Sequence, residues 1–354
     1  MSSLIDLISD TATRPSPAMR AFIAQAPVGD EQRGEDPSVN ALQERVAALL
    51  GKEMALYVPS ATMANEIAVK VHTQPGDAVI LEATAHIFTA EAGGPALLSG
   101  VTAHTVPGVR GVFTAEQVER AIMADNPHYP RTRLVSVEQT ANLGGGTIWP
   151  LATLRAVAET AQRRGLRTHM DGARLMNAVV ASGVAAHAYA RGYQSVALCL
   201  TKGLGCPVGA LVAGDRDFMK EARRFKHLFG GAMRQAGMIA AAGVYALDHN
   251  IERLAEDHTN AKILARGLAE IPGVQVEVEH VETNMVFFDV AGLDITAQEA
   301  VARLLEGGVR MGAVGRTRIR AVTHLDVTQS QVERAVEVTH RVLGKAKART
   351  PGGE

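Results

Sequence analysis

Two cysteines in 354 residues, one tryptophan and an aromatic content of 4% set the first limits. Cys199 and Cys206 are too few for a disulfide framework or a cysteine-based zinc site, so they read as reduced core thiols and no metal is expected. Sparse aromatics argue against a base-stacking surface. Lys+Arg 36 against Asp+Glu 37 leaves a net charge of −1, which disfavours nucleic acid or an anionic membrane as the main partner. No stretch approaches the roughly 20 apolar residues of a membrane span. The opening MSSLIDLISDTATRP lacks a basic region followed by an apolar run, so no secretory signal is expected. These absences point to a cytoplasmic protein without repeats or low-complexity tracts.

What is present is a large core. Hydrophobic residues make up 47% and charged ones only 21%, and the length suits one large domain plus a smaller one. SVNALQERVAALLG spaces Val39, Leu42, Val46, Leu49 and Leu50 on one helical face and stops at Gly51. MALYV, DAVILE, TRLVSVE, LRTHMD, SVALCLT and GALVAGD read as strands separated by helices such as LATLRAVAETAQRRG. Near-continuous apolar strands alternating with helices predict a mostly parallel sheet covered on both faces. Past about residue 250 the pattern changes. VQVEVEH and NMVFFDV alternate as strands, and a helix near Ala297–Leu305, the strand RTRIRAVTH and a helix near Ser330–Lys345 complete an α+β unit. The expected division is a large domain over 16–250, a small one over 251–345 and a disordered tail at 346–354.

Three polar positions at strand ends carry the chemistry. In THMDGARLMNA an apolar strand ends at Asp171, which places a carboxylate at the ligand-binding edge of a parallel sheet or caps the following helix. In ALCLTKGLGCPVG a buried strand runs into Lys202. Burial disfavours its charge and suits it to imine formation, unless the side chain snorkels outward. Asp171 and Lys202 lie 31 residues apart, enough for one strand–helix–strand step that returns both to the same edge. In VPSATMAN, Ser60, Ala61 and Thr62 close a strand and open a helix whose N–H groups suit a phosphate, or serve as ordinary capping. Neither nucleotide-binding glycine motif is there. A phosphate-binding helix start, a carboxylate and a lysine, in that order, form the set that pyridoxal phosphate requires.

At this point the chain resembles the low-specificity L-threonine aldolases, fold type I pyridoxal-phosphate enzymes of the β-eliminating lyase group. The resemblance runs from DLISDTATRPSPAMR to VTHL. It rests on SDT (Ser9–Thr11), GEDPSVNALQ (Gly34–Gln43), PSATMAN where the family has PSGTM-N, AHIF (Ala85–Phe88) and DGARLMNA. TKGLGCPVG, GGAMRQAG (Gly230–Gly237), TNMV (Thr283–Val286) and RAVTHL extend it. It implies a mostly parallel seven-stranded sheet in the large domain, with residues 1–15 as a segment contributing to the active site. Carried over by position, Lys202 would hold the cofactor as an imine and Asp171 its pyridinium nitrogen. Ser60, Ala61 and Thr62 would contact its phosphate. His86, which alone reads more readily as structural, would stack on the ring or reach the substrate hydroxyl. Ser9, Arg174 and Arg320 would bind the substrate carboxylate, a role that suits the arginine fork and engages both domains. RRFKHLFGGAMRQ, otherwise a solvated basic helix, would offer Arg234, and less strongly Lys226, to a neighbouring subunit's phosphate. The resemblance thus implies a homotetramer with shared active sites.

The implied reaction cleaves L-threonine, L-allo-threonine and related β-hydroxy-α-amino acids reversibly to glycine and an aldehyde. One segment departs from the pattern. Where the family reads ENTH, this chain has EQTA. Glu138 is kept, Gln139 replaces an asparagine, Ala141 takes the place of a second histidine, and Asn142 follows as scaffolding. A preference for bulkier or Cα-alkylated substrates is the expectation that follows. The competing expectations are β-elimination, racemisation or transaldol exchange on the same cofactor, and a phosphate-binding protein without catalysis.

Overall fold

Short polar side chains at the ends of extended segments start the first helices. Ser16 Oγ accepts from Met19 N (3.1 Å) and Pro17 takes the first turn of α1 (Pro17–Ala24). Asp36 accepts from Val39 N (3.0 Å) to open α2 (Pro37–Leu50), which Gly51 ends in the left-handed conformation at φ 61°. Ser60 Oγ accepts from Met63 N (3.1 Å) to open α3 (Ala61–His72). The computed structural model describes residues 4–344, so the tail expected at 346–354 lies outside the described residues. The chain forms two units, one from Pro15 to Ile251 and one joining the N-terminal residues up to Arg14 to those from Glu252 onward.

The chain's first strand, β1 (Ile5–Asp6), belongs to the smaller unit. The larger unit holds β2 (Met54–Val58), β3 (Ala78–Glu82), β4 (Thr102–Val106), β5 (Thr132–Glu138), β6 (Arg167–Gly172), β7 (Ser195–Cys199) and β8 (Ala210–Gly214). They make a seven-stranded sheet in the order β2-β8-β7-β6-β5-β3-β4. β8 runs antiparallel to both neighbours and the other pairings are parallel. The mostly parallel sheet expected from the sequence is therefore present. Every residue of β3, β7 and β8 is buried, as covering on both faces requires.

Helix α3 matters most for the site. Its Ala64, Ile67 and Ala68 pack on Leu56, Val58, Ala197, Ala210 and Val212 of the sheet. Ile67 is fully buried, so cutting it to alanine should cost about 2–5 kcal/mol. That packing fixes both the rotation of α3 and the position of its first turn. Cys199 and Cys206 are buried and unbridged.

In the smaller unit β9 (Met285–Asp289) pairs antiparallel with β12 (Arg318–Val322). Between them in sequence come β10 (Val309–Arg310), parallel to β1, and β11 (Gly312–Ala313), antiparallel to β12. Helices Leu254–Ala269, Ala297–Glu306 and Gln329–Leu343 enclose a core that includes Leu264, Leu268, Phe288 and Val332. VQVEVEH is not the strand its alternation predicts. Gln275 alone bridges Asp289, and a 3-10 turn follows at Val278–His280. Val276 and Val278 pack on the core from an irregular segment. Alternation marks which side chains turn inward, whereas a strand also needs a neighbour to pair along its length. Among the described residues no helix is long and apolar enough to cross a membrane.

Candidate active site

Parallel pairing of β3, β5, β6 and β7 brings their carboxyl ends to one edge, and β2 shares that direction through two antiparallel steps across β8. Ligands bind at such edges. Helix α3 leaves this edge after β2, His86 follows β3, Glu138 ends β5, Asp171 lies near the end of β6, and Lys202 comes three residues after β7. Glu138 and Asp171 are partners in the β5–β6 register.

Asp171 is 2% exposed, and both of its oxygens are occupied. Ala173 N donates to Oδ1 (3.0 Å) and Asn65 Nδ2 donates to Oδ2 (3.0 Å). Asn65 Nδ2 also donates to Glu91 Oε1 (2.8 Å), and that oxygen lies 2.9 Å from His86 Nδ1. One atom each of His86, Glu91 and Asp171 fall within 4.8 Å of one another. The hydrogen bond to Glu91 raises the His86 imidazole above its ordinary value against the pull of burial, and the charges of Asp171, Glu91 and Glu138 add to it. Because Nδ1 carries the proton given to Glu91, Nε2 of the neutral ring is the basic nitrogen.

Glu138 positions the backbone around this cluster. Its Oε2 accepts from His86 N (2.9 Å) and its Oε1 from Asn142 N (3.0 Å). Burial foremost, and then the charge of Asp171, push its carboxyl up. Gln139 turns inward, and its Oε1 accepts from Trp149 N (3.1 Å). Ala141 is 3% exposed. A methyl at Gly111 would come within 2.5 Å of its Cβ, so that backbone closes directly over it. Arg174 is buried, with Nη1 3.5 Å from Asn142 Oδ1.

At the start of α3, helix geometry leaves the N–H groups of Ala61 and Thr62 without intrahelical acceptors, and Ser60 and Thr62 are exposed. Lys202 is half-buried and opens a tight loop in which Gly205 N donates to Lys202 O (2.8 Å). Arg234 Nη1 donates to Asp30 Oδ2 (2.8 Å), with 60% of its side chain exposed, whereas Lys226 forms a buried ion pair with Glu31. In the smaller unit Ser9 Oγ accepts from Thr11 N (3.2 Å), and Arg320 of β12 has Nη2 3.4 Å from Ile8 O. Ser60–Thr62, His86, Asp171, Arg174 and Lys202 thus lie at or just beyond strand ends on one sheet edge, whereas Arg234 and Lys226 pair with Asp30 and Glu31, and Ser9 and Arg320 are placed by elements of the smaller unit. The sequence reading passed over Asn65, Glu91 and His169. The available signal was local: Asn65 faces inward from the first turns of a capped helix, and His169 sits two residues before Asp171 on the same strand face.

The set fits pyridoxal phosphate. A buried, doubly satisfied carboxylate suits a pyridinium, the first turn of α3 suits a phosphate, and Lys202 supplies an amine at the same edge. A family model for the beta-eliminating lyases matches residues 6–291. The low-specificity L-threonine aldolase 1 of Arabidopsis thaliana is 41% identical over 333 residues, 93% of each chain. The low specificity L-threonine aldolase of Escherichia coli (strain K12) is 40% identical over 330 residues, 93% of this chain and 96% of that one. In fold, a Leishmania major threonine aldolase structure matches with a TM-score of 0.81 over 96% of this chain and 99% of that one, at 22% identity. The chain therefore belongs to the beta-eliminating lyases, pyridoxal-phosphate-dependent enzymes, and within them to the low-specificity L-threonine aldolase family.

Proposed function

We propose that the protein cleaves L-threonine, L-allo-threonine and related β-hydroxy-α-amino acids reversibly to glycine and an aldehyde. When bound, pyridoxal phosphate supplies an electron sink for the pair released as the Cα–Cβ bond breaks. Lys202 is the amine that holds it covalently. Asp171 pairs with its ring nitrogen, and Ser60, Ala61 and Thr62 hold its phosphate. The carrying observation is the convergence of Asp171 and His86 on one edge, with His86 Nδ1 committed to Glu91. That commitment leaves Nε2 to take the β-hydroxyl proton as the aldehyde forms. A proton delivered to Cα then completes glycine. Positioned proton transfer of this kind contributes about 10²–10⁴-fold. Arg174, Ser9 and Arg320 bind the substrate carboxylate. Exposed Arg234 reaches a neighbouring copy's phosphate in a cytoplasmic homotetramer.

Ala141 carries no group that moves a proton, so His86 acts without a second imidazole. The accompanying preference for bulkier or Cα-alkylated substrates requires the backbone at Gly111, which covers Ala141, to move aside. A panel of threonine, allo-threonine and phenylserine, scored for aldehyde, glycine and ammonia, tests both parts. Aldehyde with equimolar glycine is expected. Ammonia without glycine would establish elimination instead, and a clear preference for threonine over phenylserine would sink the bulky-substrate reading.

A further inference from the structure

A line of buried polar groups runs from Asp171 away from the site. Asn65 and His72 lie seven residues apart on α3, two turns and about 10 Å along the same face. Opposite that face, His169 and Ser195 are register partners on β6 and β7. The four side chains interlock. His72 Nε2 lies 2.8 Å from Ser195 Oγ, His169 Nδ1 lies 2.8 Å from the same oxygen, and His169 Nε2 lies 3.1 Å from Asn65 Oδ1. Asn65, His169 and Ser195 are fully buried.

The donor and acceptor inventory permits one direction of bonding. Carboxylates only accept, so Asn65 must turn its amide nitrogen to Asp171 and Glu91, which uses both of its protons. Its Oδ1 only accepts, so His169 carries its proton on Nε2. Nδ1 of a neutral His169 must then accept, which takes the single hydroxyl proton of Ser195. Ser195 Oγ accepts in turn from His72 Nε2–H. We propose that His72, Ser195, His169 and Asn65 form a one-way hydrogen-bond chain that ends on Asp171, making His72 a remote positioning residue for the acid at the cofactor's ring nitrogen. Neutral imidazoles suit the chain. Burial pushes His169 down to about 4 against the charge of Asp171, and burial pushes His72 down to about 3, helped by His169 and Arg167. Phe218 stacks on the His72 ring at 5.1 Å and keeps it in place.

The functional meaning rests on Asp171 as the ring-nitrogen partner, but the bonding pattern does not. Neutron diffraction from the holoenzyme reads the protons directly. The expected pattern is His72 Nε2–H, Ser195 O–H pointing at His169 Nδ1, and His169 Nε2–H. A proton on His169 Nδ1, or a Ser195 hydroxyl aimed at His72, overturns the chain. Variants then read its consequence. Losing one such bond should weaken cofactor retention about 3–10-fold, so Ser195→Ala and His72→Leu should lose it and lower kcat with KM unchanged. His72→Gln, whose amide N–H replaces Nε2–H, should recover most of the loss. Equal behaviour of the leucine and glutamine variants would refute the positioning role. If the protons lie as expected yet Asp171→Asn leaves turnover intact, the assignment of Asp171 fails and the chain stands.

Discussion

Replacing Glu66 with glutamine should stabilise the protein, and by more as the pH rises. Glu66 lies on α3, is 3% exposed, and neither oxygen has a hydrogen-bond partner among the described residues. Its carboxyl presses on the chain at Gly94, where an added methyl would come within 2.1 Å of Oε1. Burial first, and then the charge of the neighbouring Glu91, push it from 4.5 up to about 8. The folded state therefore keeps a proton that the unfolded chain has already released. Stability must fall as the pH rises from about 4.5 towards 8, because the unfolded state binds fewer protons across that window. Each pH unit is worth about 1.36 kcal/mol per proton, so the ceiling is about 4–5 kcal/mol. Local rearrangement and water entry reduce it, and about 2–4 kcal/mol is the expected change between pH 5 and pH 8. Glutamine does not titrate, so it carries no such penalty. Thermal or guanidinium unfolding of the holoenzyme and the Glu66→Gln variant, compared at pH 5, 6, 7 and 8, reads the difference. A stability gap that stays constant with pH would refute the assignment of a buried neutral acid at Glu66.

Three further outcomes follow from the same geometry. Lys202→Ala should abolish borohydride-sensitive attachment of the cofactor and its characteristic absorbance, and surviving absorbance would dislodge Lys202 from its role. Glu91→Gln removes the charge and weakens the hydrogen bond that raises His86. The acidic limb of the kcat profile should then move to lower pH, and an unmoved limb would show that His86 does not govern it. Asp36 is fully buried and accepts from Val39 N (3.0 Å), Gly29 N (3.2 Å) and Gly237 N (2.8 Å). Asp36→Ala orphans three donors and a helix start, and denaturant unfolding should show a loss of about 3 kcal/mol or more.

Features written in consecutive residues were legible without coordinates. An apolar run ending in a polar residue marks a strand arriving at a sheet edge, which is why Asp171, Lys202 and the Ser60–Thr62 turn could be named as one set. A capping residue such as Ser60 announces a helix because the first N–H groups need an acceptor nearby in the chain. The EQTA segment was half legible: Glu138 and Asn142 stood out as scaffolding, but only the fold shows Glu138 holding the backbone of His86, Gln139 holding Trp149, and the Gly111 backbone closing over Ala141. VQVEVEH shows the opposite limit, since alternation reports which side chains turn inward and says nothing of whether a partner strand is there.

Apart from the local bond from Ala173 N, the surroundings of Asp171 depended on tertiary structure. Asn65 stands 106 residues from it, and His169 meets Ser195 only through the β6–β7 register. Local sequence determines where a strand or helix begins and which residues it offers, because capping and apolar periodicity act over a few residues. Which offered groups meet is decided by how α3 lies across the sheet, and that depends on side-chain packing contributed by strands far apart in the chain.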